Sequence, residues 1–443
     1  MQDKKIAGFS KMDKRAKIDW LSTHFLEEPT AAASELASFW HQDEDLQRIL
    51  DGFSENTISN FPLPFGIAPN FMINGKVYAV PMVIEESSVV AAAASAAKFW
   101  LPLGGFHTEV VDTVKLGQLH FRWSGTTERW QALFPELEKR LRLEATHLTA
   151  NMEKRGGGIL RIDWLRKAEI APDYYQLRVS FETCDSMGAN FINSVLEQFG
   201  STLQEWAATA PELKPQERAL QILMAILSNY TPDCVVKAWV ECSMEDMQKT
   251  LKTGDDVRHF CHKFETAVNI AIHDPYRAVT HNKGIFNGID AVVLATANDF
   301  RAIEACGHAY AARDGQYRSL SRCIIKDDTF RFELEIPLAL GTIGGLTKLH
   351  PLAKMSLQIL GQPSARELMQ VIAATGLAQN FGALRSLVTT GIQAGHMKMH
   401  LQNILIHFNA TPAQIEEAKL YFADRTVSFT AVREFMAQYN TVQ

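Results

Sequence analysis

Lys283 stands in the stretch Thr280-His281-Asn282-Lys283-Gly284-Ile285, and Asp299 of Asn298-Asp299 follows sixteen residues later. An ammonium within reach of a carboxylate is equipped to hold a negative oxygen as it forms during a reaction. The flanking His, Asn and Gly predict a polar loop just before a helical pattern over 285–298. A lysine serving only as surface charge at a helix start would face the positive end of the helix dipole, an unfavourable place. Lys283 is therefore read as a catalytic cation. Asp299 is read as its carboxylate partner, although a helix N-cap ahead of Phe300-Arg301 would explain it alone.

The acid that such chemistry needs has two neighbouring candidates, Glu85 and Glu86, which point to opposite faces of an extended strand. They follow a predicted hairpin in which Asn74-Gly75 supplies a type I′ turn between apolar strands. A strand end is a rigid place from which to aim a carboxylate. Farther on, Asp185-Ser186-Met187-Gly188-Ala189-Asn190 puts small residues and a glycine at a strand-to-helix junction, where backbone amides can approach a pyrophosphate. From about Asp112 the predicted order is strand (113–123), long helix (127–154), strand (159–164), strand (174–183), helix (189–209). That β-α-β-β-α order is that of a ferredoxin-like split unit and not of a Rossmann fold, and no GxGxxG occurs. Its neighbours before and after would form a second, larger and discontinuous domain. Helices are predicted at 14–25 and 43–50, and again at 396–408, 412–422 and 431–439, with a strand pair near 321–336.

Five stretches taken in order, Glu55-Asn56-Thr57-Ile58, Glu85-Glu86-Ser87-Ser88, Asp185 to Asn190, Thr280 to Ile285 and Gly395-His396-Met397, resemble 3-hydroxy-3-methylglutaryl-coenzyme A (HMG-CoA) reductase in its soluble bacterial class II form. The resemblance runs from about Ile58 to about His400. It implies an α+β fold: a helix-rich α/β substrate domain (1–111 and 229–391), an inserted ferredoxin-like NAD(P)-binding domain (112–228) and a C-terminal helical flap (392–443). It implies reduction of HMG-CoA to mevalonate and coenzyme A by two reduced nicotinamides, in isoprenoid biosynthesis. The same fold run oxidatively, mevalonate plus coenzyme A to the thioester with NAD, is the alternative.

Within that resemblance Lys283 holds the oxyanion, Asp299 hydrogen-bonds and tunes Lys283, and Glu86, selected by its spacing from Pro81, supplies a proton. His396 protonates the departing thiolate; His400, one turn on, imitates a metal pair but lacks a third ligand, so no metal is expected. Arg277 matches the guanidinium that grips the substrate carboxylate, with Ser88, Thr280 and Asn287 as polar helpers and Gln379 in a loop near the site. Asp185, Met187, Gly188, Ala189, Asn190, Asn193 and Asn229 match the cofactor-binding set; Ser186 departs from the family's DAMGAN form. Lys11, with Lys14, Arg15 and Lys17, forms a basic cluster that could meet coenzyme A phosphates. The family builds its site across a homodimer interface, so Glu55 and Asn56 would serve the neighbouring subunit, and a larger oligomer stays open. NADH-using relatives carry an acidic residue just after the glycine run Gly156-Gly157-Gly158; Arg161, with Arg155, stands there here. This favours NADPH, with NADH as the other donor.

Composition is compatible with all of this. The chain has 443 residues, 47% of them hydrophobic, and a net charge of −6, so two or three domains are expected and no basic field for nucleic acid. The six cysteines contain no CxxC pair and read as reduced, buried thiols. The first residues lack the apolar core of a signal peptide, and the most apolar run, 89–97, is too short to cross a bilayer, so a cytoplasmic location without membrane contact is expected. Two other classes compete. A coenzyme A-binding regulator without catalysis would not need the polar catalytic set, and an aldehyde dehydrogenase would need a nucleophilic cysteine.

Overall fold

The computed structural model describes residues 4–251, 256–389, 401–423, 425 and 427–442. Helices α1 (Lys14–Phe25), α2 (Pro29–Ser38) and α3 (Glu44–Asp51) come first. Asp13 caps α1 and Asp43 caps α3 by accepting from free backbone amides. The hairpin of β1 (Phe65–Ile73) and β2 (Lys76–Val83) turns at Asn74 (φ 48°) and Gly75 (φ 80°), both left-handed as the predicted turn requires. Next come α4 (Val89–Trp100) and β3 (His107–Val110).

The inserted segment then runs β4 (Lys115–Trp123), α5 (Thr127–Glu144), α6 (Thr146–Glu153), β5 (Gly158–Arg166), β6 (Tyr174–Glu182), α7 (Ala189–Thr209) and β7 (Leu220–Ser228). Its strands lie in the order β5-β6-β4-β7, all antiparallel. This is the split β-α-β arrangement, completed by β7, a strand absent from the sequence-based order. The long helix expected over 127–154 is broken at Ala145 into two. Trp123, Trp130, Tyr175 and Phe199 sit fully buried in a core that belongs to this unit alone.

The rest of the chain follows as β8 (Val235–Ser243), α8 (Met244–Thr250), α9 (Val257–His273), α10 (Pro275–Ala295), α11 (Phe300–Ala311), β9 (Ser321–Lys326), β10 (Thr329–Pro337), α12 (Leu346–Leu349), α13 (Pro351–Ile359) and α14 (Ala365–Val388). A second sheet, ordered β3-β8-β10-β9, shares one apolar core with the hairpin and with α4, α9, α10 and α14. Helix α14 crosses α10 closely because Gly288 has no side chain there; a Cβ on it would lie 2.7 Å from the Thr375 carbonyl oxygen. The last helices, Pro412–Tyr421 and Phe429–Val442, gather with helical residues 401–407 around Leu405, Ala418 and Val432. No helix of the described residues is long and apolar enough to cross a membrane.

The polar loop expected ahead of residue 285 is replaced by helix. Thr280–Gly284 is not a loop; it lies in the second and third turns of α10, whose start is set earlier by Asp274 as N-cap and Pro275 in the first turn. The polar residues that suggested a loop are spent on tertiary contacts. Asn282 accepts from Leu320 N at 3.0 Å and donates to the Arg318 carbonyl at 2.8 Å. His281 Nε2 lies 2.7 Å from Ser321 Oγ, which donates to Asn380 Oδ1 at 2.8 Å. That orientation makes the ring the Nε2–H tautomer, and burial, with Arg277 nearby, pushes its pKa down to about 3.

Candidate active site

Helix α10 presents Thr280, Lys283 and Asn287 at i, i+3 and i+7, along one side. Lys283 Nζ donates to Glu86 Oε2 at 2.7 Å, joining residues 197 apart in sequence. Glu86 follows the end of β2, and Ser88 stands in a left-handed turn (φ 74°) at the start of α4 with its hydroxyl free of any capping bond. The lysine side chain is 59% exposed and the glutamate 38%. Such a pair adds little stability, about 0–1 kcal/mol, so fold maintenance is a poor reason for it. Arg277 is half-buried, burial lowers its pKa, and among the described residues no carboxylate pairs with it. A desolvated guanidinium without an anion is prepared to receive one.

Asp299 departs from expectation. Its carboxylate caps α11, accepting from Arg301 N and Ala302 N, and takes the Arg301 guanidinium at 3.2 Å. The amides at the start of a helix and an adjacent arginine satisfy it locally. Asp299 instead lines a cavity of about 750 Å³ together with Asn298, Arg301, Met187, Gly188, Ala189, Asn190, the loop from Gly341 to Thr347, and His350. The strand-to-helix loop of the inserted unit and the turn between α10 and α11 thus share one groove; α10 itself reaches it through Leu294, and Lys283 and Glu86 are not among its lining residues. Gly188 (φ 88°) approaches Thr183 so closely that a Cβ would lie 2.5 Å from its methyl group. A close-set glycine at the start of α7 leaves that helix's first amides open to the cavity, and the residues present fit a pyrophosphate.

Other expected site residues divide between the cavity and the scaffold. Asp185 Oδ1 accepts from Ala365 N at 2.7 Å, so it fastens the loop to the start of α14. Asn193 Oδ1 accepts from Leu227 N at 2.9 Å, tying α7 to β7. Asn229 lines a small pocket beside Met187. Gln379 is not in a loop: it is buried within α14, facing α10. Of the basic cluster, Lys14 pairs with Asp51 at 2.7 Å and lies over Trp40, and Lys17 lies over Phe9, leaving Lys11 and Arg15 exposed. Glu55 and Asn56 are exposed after α3, where Phe53 stacks on His350 at the cavity wall. Arg161 is exposed on β5 and pairs with Asp163 at 2.7 Å. His396 lies outside the described residues.

Sequence reasoning missed Asn298, whose Oδ1 accepts from Gly341 N at 2.9 Å, and the loop it anchors. It also missed Lys115, buried beneath the Asp185–Asn190 loop. A thiol nucleophile has no support, because burial raises the pKa of all six cysteines, with Cys234, Cys242 and Cys261 pushed up to about 12.

Residues 20–401 match the family model for hydroxymethylglutaryl-coenzyme A reductase. The 3-hydroxy-3-methylglutaryl-coenzyme A reductase of Archaeoglobus fulgidus is 36% identical over 370 residues, covering 83% of this chain and 80% of that protein. A probable reductase of the same name from Borreliella burgdorferi is 34% identical over 351 residues, covering 79% and 77%. Among solved structures, the class II reductase of Streptococcus pneumoniae bound to NADPH in open conformations superposes with a TM-score of 0.70 at 36% identity, over 87% of this chain and 100% of that one. Together with the Lys283–Glu86 pair, these matches identify the chain as a member of the hydroxymethylglutaryl-coenzyme A reductase family.

Proposed function

We propose that this protein is a class II HMG-CoA reductase working in the reductive direction, taking HMG-CoA to mevalonate and free coenzyme A at the expense of two NADPH. The observation that carries the reading is the 2.7 Å contact between Lys283 and Glu86. NADPH, when bound along the groove, supplies hydride. Each hydride arrival puts negative charge on the former carbonyl oxygen, and the Lys283 ammonium is the donor positioned to hold it. Glu86 supplies the proton to the oxygen at the aldehyde stage. Arg277 takes the substrate's free carboxylate, with Ser88, Thr280 and Asn287 beside it. His396 protonates the thiolate of coenzyme A. Asp299 contributes a carboxylate to the cofactor side of the groove, and Arg161 favours the extra phosphate of NADPH.

The chain works as a homodimer with its active site at the subunit interface, in the cytoplasm. Support for the dimer comes from uncovered apolar groups beside the site: Tyr276 is 90% exposed and Val279 55%. The test is nicotinamide absorbance during complete turnover of a limiting amount of HMG-CoA. Two equivalents of NADPH consumed per thioester, with mevalonate as product, is the expected result. One equivalent, or no NADPH consumption with HMG-CoA but reduction of NAD⁺ by mevalonate and coenzyme A, defeats the reading.

A further inference from the structure

We propose that Lys115 is a positioning residue for the dinucleotide: its buried ammonium holds the Ser186 carbonyl inward and sets the Ser186–Asn190 loop to receive a pyrophosphate. The inference rests on the reading that this loop binds the cofactor. Lys115 opens β4 and is 4% exposed. Its Nζ donates to Thr183 Oγ1 at 2.5 Å and to the Ser186 carbonyl at 2.9 Å, and Thr183 Oγ1 donates to the same carbonyl at 2.6 Å. The loop therefore rests on a two-residue platform, with Gly188 against Thr183.

A loop anchor needs only a neutral donor, whereas burying an ammonium is costly unless it is paired. Among the described residues no carboxylate makes ion-pair contact with it. Glu182 and Asp185 are near enough to favour its charge, yet their hydrogen bonds go to Thr113 and Cys184 and to Ala365. Burial lowers the pKa of this lysine, the mark of a charge held at a cost. A pyrophosphate on the loop above would supply the missing anion and relieve that cost. Lys115 also lines a small pocket with Met187, Ala189 and Asn229, and Met187 and Ala189 line the groove as well.

The test is NADPH binding, followed by quenching of tryptophan fluorescence, together with steady-state kinetics on Lys115→Met and Thr183→Val. Lys115→Met keeps the stem and removes the charge; it is expected to weaken NADPH binding about tenfold. The KM for NADPH rises to match, while kcat at saturating NADPH and the KM for HMG-CoA stay within about twofold. A lysine serving general stability would change kcat and both KM values together, which overturns the proposal. Thr183→Val removes the neutral half of the platform, is expected to weaken NADPH binding by a smaller factor, and carries the test if Lys115→Met does not fold. Wild-type affinity in both variants also overturns it. Failure of the wild-type protein to bind NADPH defeats the cofactor reading itself, a distinguishable result.

Discussion

Replacing Glu86 by Gln separates chemistry from scaffolding, because the amide keeps the shape and can still accept from Lys283 but cannot deliver a proton readily. The pair is 2.7 Å apart with its side chains 59% and 38% exposed. Water and ions screen it, so its net contribution to folding is at most about 1 kcal/mol. The expected change in melting temperature is only a few degrees. Loss of a general acid, by contrast, slows proton transfer about 10²–10⁴-fold, or roughly 3–5 kcal/mol of barrier. The kinetic effect should exceed the stability effect severalfold. Stopped-flow absorbance on E86Q with HMG-CoA and excess NADPH reads both halves of the reaction. The first equivalent should be oxidised within about tenfold of the normal rate, and the second should lag by 10²-fold or more. Two equivalents consumed at the wild-type rate would refute the assignment. So would a melting temperature lowered by tens of degrees, which would make the pair structural.

Three further outcomes follow from the same geometry. Arg161→Asp should lower the ratio of kcat/KM for NADPH over NADH by about tenfold or more, since a carboxylate repels a 2′-phosphate; an unchanged ratio removes Arg161 from cofactor choice. His281 has a folded pKa of about 3, below its unfolded value near 6.5. The unfolded chain therefore binds the extra proton, and stability rises with pH between these values and is lost on acidification. His281 alone should cost about 2 kcal/mol between pH 7 and pH 5, and denaturant unfolding of His281→Gln should lack that component; an identical pH slope in the variant counts against it. Asp290 shows the opposite sign. Burial and the Glu304 carboxylate beside it push its pKa up to about 8, so folding favours the protonated acid and stability falls as pH rises from about 4 to about 8. Asp290→Asn should melt higher than the parent at pH 8 and lose that advantage at pH 4; a lower melting temperature at pH 8 refutes it.

How far the sequence could be read depends on what each signal reports. The residue types around Lys283 pointed to chemistry because a cation among polar groups has little packing value. They misled about local structure, since His281 and Asn282 bond across to Ser321 and Leu320 while the helix continues through them. Tertiary partners, invisible in a linear pattern, turned an apparent loop into helix. The pairing of Glu86 with Lys283 was legible only through resemblance, since a contact 197 residues apart leaves no local trace. Strand β7 was missed because Leu220–Ser228 is a nearly continuous apolar run without alternation, and only pairing with β4 declares it a strand. Asp299 illustrates the converse: the helix cap suggested by its position accounts for its hydrogen bonds here, and the link to Lys283 does not appear among them. Lys115 gave no signal at all, because a lysine at a strand start is ordinarily solvated, and its burial depends on Thr183 and Ser186 folding over it.

The most direct test of the central claim is the rate of the first hydride transfer in Lys283→Met, measured in a single turnover with HMG-CoA and NADPH both bound. The ammonium is assigned to the oxygen that gains charge in the transition state, so the variant should retain NADPH binding and HMG-CoA binding within a few-fold while that step slows about 10²–10³-fold. A normal rate for the first hydride in a folded Lys283→Met protein would contradict the account.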